Sequence, residues 1–358
     1  IQQIHAHAFE KCISLKQIDV HAPYVGASAF AFCTELKSAY LPLVRTLKSR
    51  LFEGCKSLQS VICPKASEVK EKSFCGCTNL KEFPFHNIKQ IGSYAFDGCD
   101  NLREITFDNN VILSPYAFKD CGRLEKLHIP DTYTSTSLRE YAMSGCTALR
   151  LISCGQTYHL KTYKDLFSRQ IPEPVRLLFY SALSCFTIEQ ETRLCGYQGT
   201  GRIIKIPDGI QQIASEVFRN ITMLREVEIP ESIEYIGARA FHGTEWIKHQ
   251  QELSPLVIVN HMLLDGSGCD GDVIVPEHIR LVCGWAFANG MKIKCIRFPS
   301  NQIRVEDYAF RNCIFLQQLV LSDGSVIHFS GIDDRKRELP PLAKQAAVDR
   351  IHCFKTDE

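Results

Sequence analysis

Net charge is nearly absent from this chain: 41 basic residues stand against 40 acidic ones in 358, a formal +1 at pH 7. That balance excludes the basic footprint of a protein that grips nucleic acid through its phosphates. Long apolar runs are missing too. None approaches the roughly 18 residues that a membrane-spanning helix needs, and no basic-then-apolar leader opens the sequence. The signatures of common enzymes are also lacking. There is no Gly-x-Ser-x-Gly, no phosphate-cradling Gly-x4-Gly-Lys-Ser/Thr and no His-Glu-x2-His. Gly196-x2-Gly-x-Gly201 has the wrong order for a dinucleotide fingerprint. A non-enzymatic chain without a cofactor is therefore expected. A composition of 45% hydrophobic and 23% charged residues excludes a disordered or collagen-like polymer. Ile1 stands where Met would, so a fragment or a processed product is expected.

What the sequence does have is a repeat. Phe9, Phe30, Phe52, Phe74, Phe96 and Phe118 recur at spacings of 21 or 22 residues, and Met143 takes the place of Phe after 25. The beat resumes at Phe218, Phe241, Phe287 and Phe310, at spacings of 23 or twice 23. Cys follows the aromatic by three residues at Cys12, Cys33, Cys55, Cys77, Cys99, Cys121, Cys146 and Cys313. An aliphatic follows by six, as at Leu80, Leu102 and Leu124. Further apolar residues follow by nine and eleven, as in Ile105 with Phe107. Pro42, Pro64, Pro130, Pro230 and Pro299 come next, and Ile91-Gly92 and Ile236-Gly237 stand just upstream of the following aromatic. The alternation at nine and eleven is the period of a short strand with one buried face. Proline ends such a strand because it has no N–H for the ladder. A unit this short cannot bury its own apolar face, so it must stack on its neighbours.

The pattern Ile-Gly-x-x-Ala-Phe-x-x-Cys-x-x-Leu-x-x-Ile-x-Ile-Pro, which residues 91–107 and 113–130 follow closely, resembles the BspA-type leucine-rich repeat. The resemblance covers roughly 270 residues. It implies a long, curved binding protein of the kind often displayed on bacterial surfaces, with no chemistry of its own. Leu51 and Ser73 depart from the pattern at the Ala position, the unit at Phe218 lacks Cys, and the unit at Phe241 runs into an insertion. The expected fold is an α/β-type solenoid. It is a curved, right-handed array with a parallel inner β-sheet, mostly irregular or short-helical outer turns, and short helical and β-hairpin insertions.

Four segments are expected. Residues 1–155 form a first array of about seven units, and 156–187 a helical connection. Residues 188–331 hold a hairpin and a second array with a hairpin insertion near 245–276, and 332–358 form a C-terminal helical segment. The last rests on a longer period, since Arg169 to Phe186 is echoed by Arg337 to Phe354 in its Arg, apolar-Pro and Cys-Phe positions. Two stretches, Ile188–Pro207 and Val259–Pro276, read as hairpins closed by the Gly-rich turns 196–201 and 266–271.

Seventeen Cys invite a disulfide or metal reading, and an odd count leaves at least one thiol unpaired unless chains cross-link. A column of side chains pointing the same way into a core favours buried, reduced thiols acting as small hydrophobes. His5-x-His7 supplies too few ligands for a metal site. The carboxylates of Asp265, Asp270 and Asp272 lack the bidentate Glu of a calcium loop. Trp246 and Trp285 are read as packing residues.

One exposed column could bind a partner. Position seven after each aromatic reads Lys16, Lys37, Gln59, Lys81, Arg103, Glu125, Arg150, Arg225, Lys294 and Gln317. Seven of these ten are basic, although Lys and Arg make up only 41 of 358 residues. Lys16, Lys37, Lys81, Arg103, Arg150, Arg225 and Lys294 are the candidate ridge for a protein or an acidic glycan on the concave face. The alternative is a structural spacer or stalk in a larger surface protein. The resemblance points to the cell surface or secretion, whereas the many unpaired Cys favour a reducing cytoplasm.

Overall fold

The computed structural model describes residues 2–139, 141–300 and 302–329. The expected helical segment 332–358, with its Arg337–Phe354 echo, lies outside the described residues. The chain divides into two compact units. One holds residues 1–192, 196–210 and 223–230; the other holds 193–195, 211–222 and 231 onward. Each is a parallel-strand solenoid.

In the first unit, the residues nine after most of the aromatics, and after Met143, sit inside strands of three or four residues. Gln17–Asp19, Ser38–Tyr40 and Ser60–Ile62 pair in parallel, as do Glu104–Thr106, Lys126–His128 and Leu151–Cys154. Between these groups Pro84 removes an N–H, and a single bridge, Ser60 to Glu82, continues the first sheet. Phe83 and Phe85 fill that stretch and pack on the rings of Phe74 and Phe96. A second parallel sheet accompanies the expected one. Thr46–Leu47, Glu68–Val69, Gln90–Ile91 and Ile112–Leu113 form it from the residues just upstream of each aromatic. Gly92 follows directly, where a tight turn would account for it on sequence grounds. Its role is close approach instead, because a Cβ there would stand 2.6 Å from the backbone nitrogen of Glu71 in the preceding turn.

The outer side of each turn is held by two left-handed residues. Position two before the aromatic takes φ near 60° in Ser28, Arg50, Lys72, Tyr94 and Tyr116. Position two after it does the same in Phe32, Gly54, Gly76, Gly98 and Asp120. Such a conformation costs a non-Gly residue about 1–2 kcal/mol. Hydrogen bonds between turns offset that cost. The amides of Phe52, Phe74, Phe96 and Phe118 donate to Ser73, Ala95, Ala117 and Ala142 of the next turn at 2.7–2.8 Å.

Inside, the phenyl rings form one column. From Phe9 through Phe30, Phe52, Phe74 and Phe96 to Phe118, ring centroids stand 5.0–5.7 Å apart with planes within 21°. Beside it runs the thiol column. Cys55, Cys77 and Cys121 donate their Sγ–H to the carbonyls of Phe30, Phe52 and Phe96 at 3.0–3.2 Å. Each of those carbonyls also accepts the amide of the Cys in its own turn. A thiol thus serves a lone pair that an alanine methyl would leave bare.

Both open edges of the last turn in this array are covered. Gln156–His159 runs antiparallel to Leu151–Cys154. Helix α1 (Glu173–Leu183) closes the outer ladder, where Ser181 Oγ accepts the Met143 amide and the Ala182 carbonyl accepts that of Gly145. Pro172 and Pro174 start this helix, and Val175, Leu178, Phe179, Ala182 and Leu183 bury one face.

In the second unit, Phe218 stacks on Phe241 at 5.1 Å and Phe287 on Phe310 at 5.7 Å. The insertion between these pairs carries helix α2 (Glu245–Leu253), capped by Thr244 Oγ1 on the Ile247 amide. An antiparallel hairpin follows, Val257–Val259 with Met262–Asp265. The Gly-rich stretch 266–271 does not close a hairpin as expected. It leads into Gly271–Ile274, which pairs in parallel with Ile293–Arg297, so 262–276 is a turn of the solenoid. The Gly-rich stretch 196–201 behaves alike and leads into Ile203–Lys205, which pairs in parallel with Glu226–Glu228 in the first unit. Trp246 is buried against the Phe241 ring at 4.7 Å.

Phe96 is fully buried between two stacked rings, whereas Phe9 ends the column and is 40% exposed. Phe96→Ala is expected to cost about 3–5 kcal/mol and Phe9→Ala less than about 2 kcal/mol. Urea unfolding of both variants measures the difference; equal losses would contradict a column stabilised from ring to ring.

Candidate functional site

The column-seven residues do not form one continuous ridge. In the first unit, the ladder bonds Lys37 N–H to Lys16 O, Gln59 N–H to Lys37 O and Lys81 N–H to Gln59 O. Lys16, Lys37 and Lys81 therefore share one row on neighbouring turns. All three are exposed, and no ion pair engages them among the described residues. Arg103, Glu125 and Arg150 make a second row by the same bonding. This row is largely neutralised: Arg103 Nη1 meets Glu125 Oε1 at 2.9 Å, and Arg150 pairs with Asp208. Arg225 lies apart, its amide bonded to Arg202 O beside the strands 203–205 and 226–228. Lys294 belongs to the second unit, next to Gln317.

Two residues of the lysine face escape a reading made for charge alone. Tyr40 and Ile62 stand ten residues after their aromatics, on paired strands, and are 38% and 55% exposed. Their alternation with Ala39 and Val61, both buried, is the signal that could have found them. Further along, Glu104 takes Lys126 and His128 as neighbours.

A second cluster lies on the outer side of the same unit. Asp97, Asp100 and Asp120 surround a cavity of about 150 Å³ with Thr200 and Arg202. Arg202 Nη1 donates to Asp100 Oδ2 at 2.9 Å, Thr200 donates to Asp120 Oδ2 at 2.7 Å, and Lys119 Nζ stands 3.0 Å from the latter oxygen. Burial pushes the Asp97 carboxyl up to about 6, against the pull of Lys119 and Arg202 and with the repulsion of Asp120. This network pins the loop 200–202 onto the array.

Among the described residues, no other group gathers into chemistry. Burial pushes the Cys55 and Cys63 thiols up to about 12, far from a reactive thiolate. His7 pairs with Glu10 and His5 with Gln3. Asp265 Oδ1 accepts the amide and hydroxyl of Ser267, which makes a local turn. Among the described residues, no three His, Cys, Asp or Glu side chains converge as metal ligands, and no helix is long and apolar enough to cross a membrane.

The sequence model of the BspA-type leucine-rich repeat region matches residues 2–121, 67–170, 197–317 and 271–330, in six copies. The chain belongs to the BspA-type leucine-rich repeat family. No curated protein sequence matches it. Among solved structures, this BspA-type chain is similar to a leucine-rich repeat protein from Bacteroides ovatus, with 21% identity and a TM-score of 0.35 over 87% of this chain. It spans 64% of that protein's length. A leucine-rich cell-surface protein from Faecalibacterium prausnitzii shares 20% identity at a TM-score of 0.38, covering 90% of this chain and 83% of that one.

Because the Asp97 carboxyl rises from 3.8 to about 6 on folding, its contribution to stability is present below the unfolded value and lost as pH rises through the folded one. Asp97→Asn in this BspA-type chain is expected to match its parent near pH 4 and to exceed it by about 1–3 kcal/mol near pH 8. Urea unfolding at both pH values checks this; a gain that is the same at both would contradict it.

Proposed function

We propose that this chain is a binding module without chemistry of its own, and that the strand face of its first unit takes an acidic surface of a partner protein. One observation carries the reading: Lys16, Lys37 and Lys81 share a row, exposed and unengaged by acidic groups among the described residues, with Tyr40 and Ile62 exposed on the adjoining strands. Apolar anchors ringed by charge are the ordinary composition of a protein-binding patch, with the charge steering the encounter. An acidic glycan would use the lysines and not the anchors, and a spacer would use neither.

We take the module to act at a cell surface, as the family resemblance implies. The free thiols do not argue against this. Apart from the exposed Cys12, the column cysteines are buried and hydrogen-bonded to backbone carbonyls, and burial holds Cys55 and Cys77 far from the thiolate form, so an oxidising compartment gives them little to react through.

Capture of partner proteins by the parent, by Lys37→Glu with Lys81→Glu, and by Tyr40→Ala with Ile62→Ala tests the reading at low and high salt. Both double variants are expected to lose at least about tenfold in capture with little change in Tm, because exposed charges contribute little to folding. Loss in the lysine variant alone would indicate a glycan-like ligand. Undiminished capture by both would leave the spacer reading.

A further inference from the structure

Regular turns of the solenoid hand their outer amides to the next turn. In the second unit, Glu216, Phe218 and Asn220 donate to the carbonyls of Ala238, Ala240 and His242 at 2.7–3.1 Å. The following turn breaks this rule. Arg239, Phe241 and Gly243 occupy the same three positions, and among the described residues no acceptor meets their N–H groups. The carbonyls that a regular turn would engage on the other side belong to Gly284, Ala286 and Ala288. Of these, among the described residues, Ala286 alone is used, by the amide of Gly266 at 2.6 Å.

The cause is the shortened turn between them. Gly266 stands where an aromatic would, since Cys269 donates its amide to Gly266 O just as each column Cys does to its Phe. A Cβ at Gly266 would lie 2.4 Å from the Phe287 ring, so no side chain fits. The outer loop is drawn inward, and a cavity of about 590 Å³ remains between residues 237–243 and 284–289, walled by α2.

The lining says what would fill it. Three main-chain donors at alternate positions, 239, 241 and 243, line one side, and two main-chain acceptors, 284 and 288, on either side of the engaged Ala286, line the other. Charged groups in the walls already have partners: Lys248 meets Glu245 at 2.9 Å, and Asp265 holds Ser267. The guanidiniums of Arg239 and Arg311 each lie 4.8 Å from the Trp285 ring centroid, so the indole is already engaged and is no bare sugar platform. A simple anion would satisfy the donors and not the acceptors. A polypeptide main chain supplies carbonyls at the alternation the three donors require, and amides for the two acceptors.

We propose that this cleft binds a short peptide segment of a partner protein, held by its main chain in the place of the missing outer turn. The inference does not depend on the lysine face of the first unit.

Short random peptides displayed on phage and selected on the intact chain provide the probe, with enriched sequences synthesised for solution work. Saturating peptide is expected to slow hydrogen exchange at Arg239, Phe241 and Gly243 at least about tenfold, as ladder pairing protects amides. Methylation of the peptide's amide nitrogens should weaken binding about tenfold, while single alanine substitutions should change it little. Gly268→Trp adds a bulky side chain to the cleft lining, at a position where nothing lies within 4 Å of a Cβ; it should abolish binding at an unchanged Tm. Failure to enrich any peptide, equal binding by Gly268→Trp, or amides at 239, 241 and 243 that already exchange as slowly as that of Phe218 in the free chain would each overturn the proposal. The last result would mean that this chain fills its own cleft.

Discussion

A phenyl ring stacked on the ring of the next turn, at 5.0–5.7 Å with nearly parallel planes, sets the dimensions that the rest of each turn must meet. That separation is close to the spacing of hydrogen-bonded strands, about 4.8 Å, so stacking and ladder formation are satisfied by one repeat distance. The column fixes where the backbone of each turn has to pass. Two left-handed residues flank each ring to bring the chain in and out, even where those residues are Arg50 or Tyr94. The glycine at position 92 lets one turn approach the backbone of another. The Cys side chain is small enough to sit beside the ring and still gives a proton to a carbonyl that the column has buried.

Departures from this rule mark the places where the molecule offers something other than a wall. At Met143 the ring is lost and the array closes, with α1 taking over the outer hydrogen bonds. At Gly266 the ring is lost inside an array, and the outer turns on either side part to leave a cleft. Charge follows a separate logic. On the strand face it depends on local pairing: Arg103 and Arg150 find carboxylates, while the row of Lys16, Lys37 and Lys81 stays open to solvent.

The parts legible in the sequence were those that recur in apolar residues. Phe, Cys and Leu columns announce a solenoid because each occupies a fixed slot in a packed core. The second sheet was hidden because two residues, such as Glu68–Val69, are too few to display an alternation. The left-handed outer positions were hidden because Ser, Arg, Lys and Tyr occupy them with no shared composition. The Gly-rich stretches misled because glycine serves a hairpin turn and a tight packing contact equally well, and at Gly266 it is the contact that matters. Pairs such as Arg150 with Asp208, 58 residues apart, have no local signal at all. They decided which basic residues of the candidate ridge remain free.

Residue-resolved hydrogen exchange in a Phe74→Ala variant tests most directly whether stacking between neighbours holds the array together. A quasi-one-dimensional structure should lose most protection at the outer amides of its own turn and the two adjoining ones, Phe52 and Phe96, with recovery toward Met143. Loss confined to residue 74, or an equal loss along the whole first unit, would contradict an array built ring upon ring.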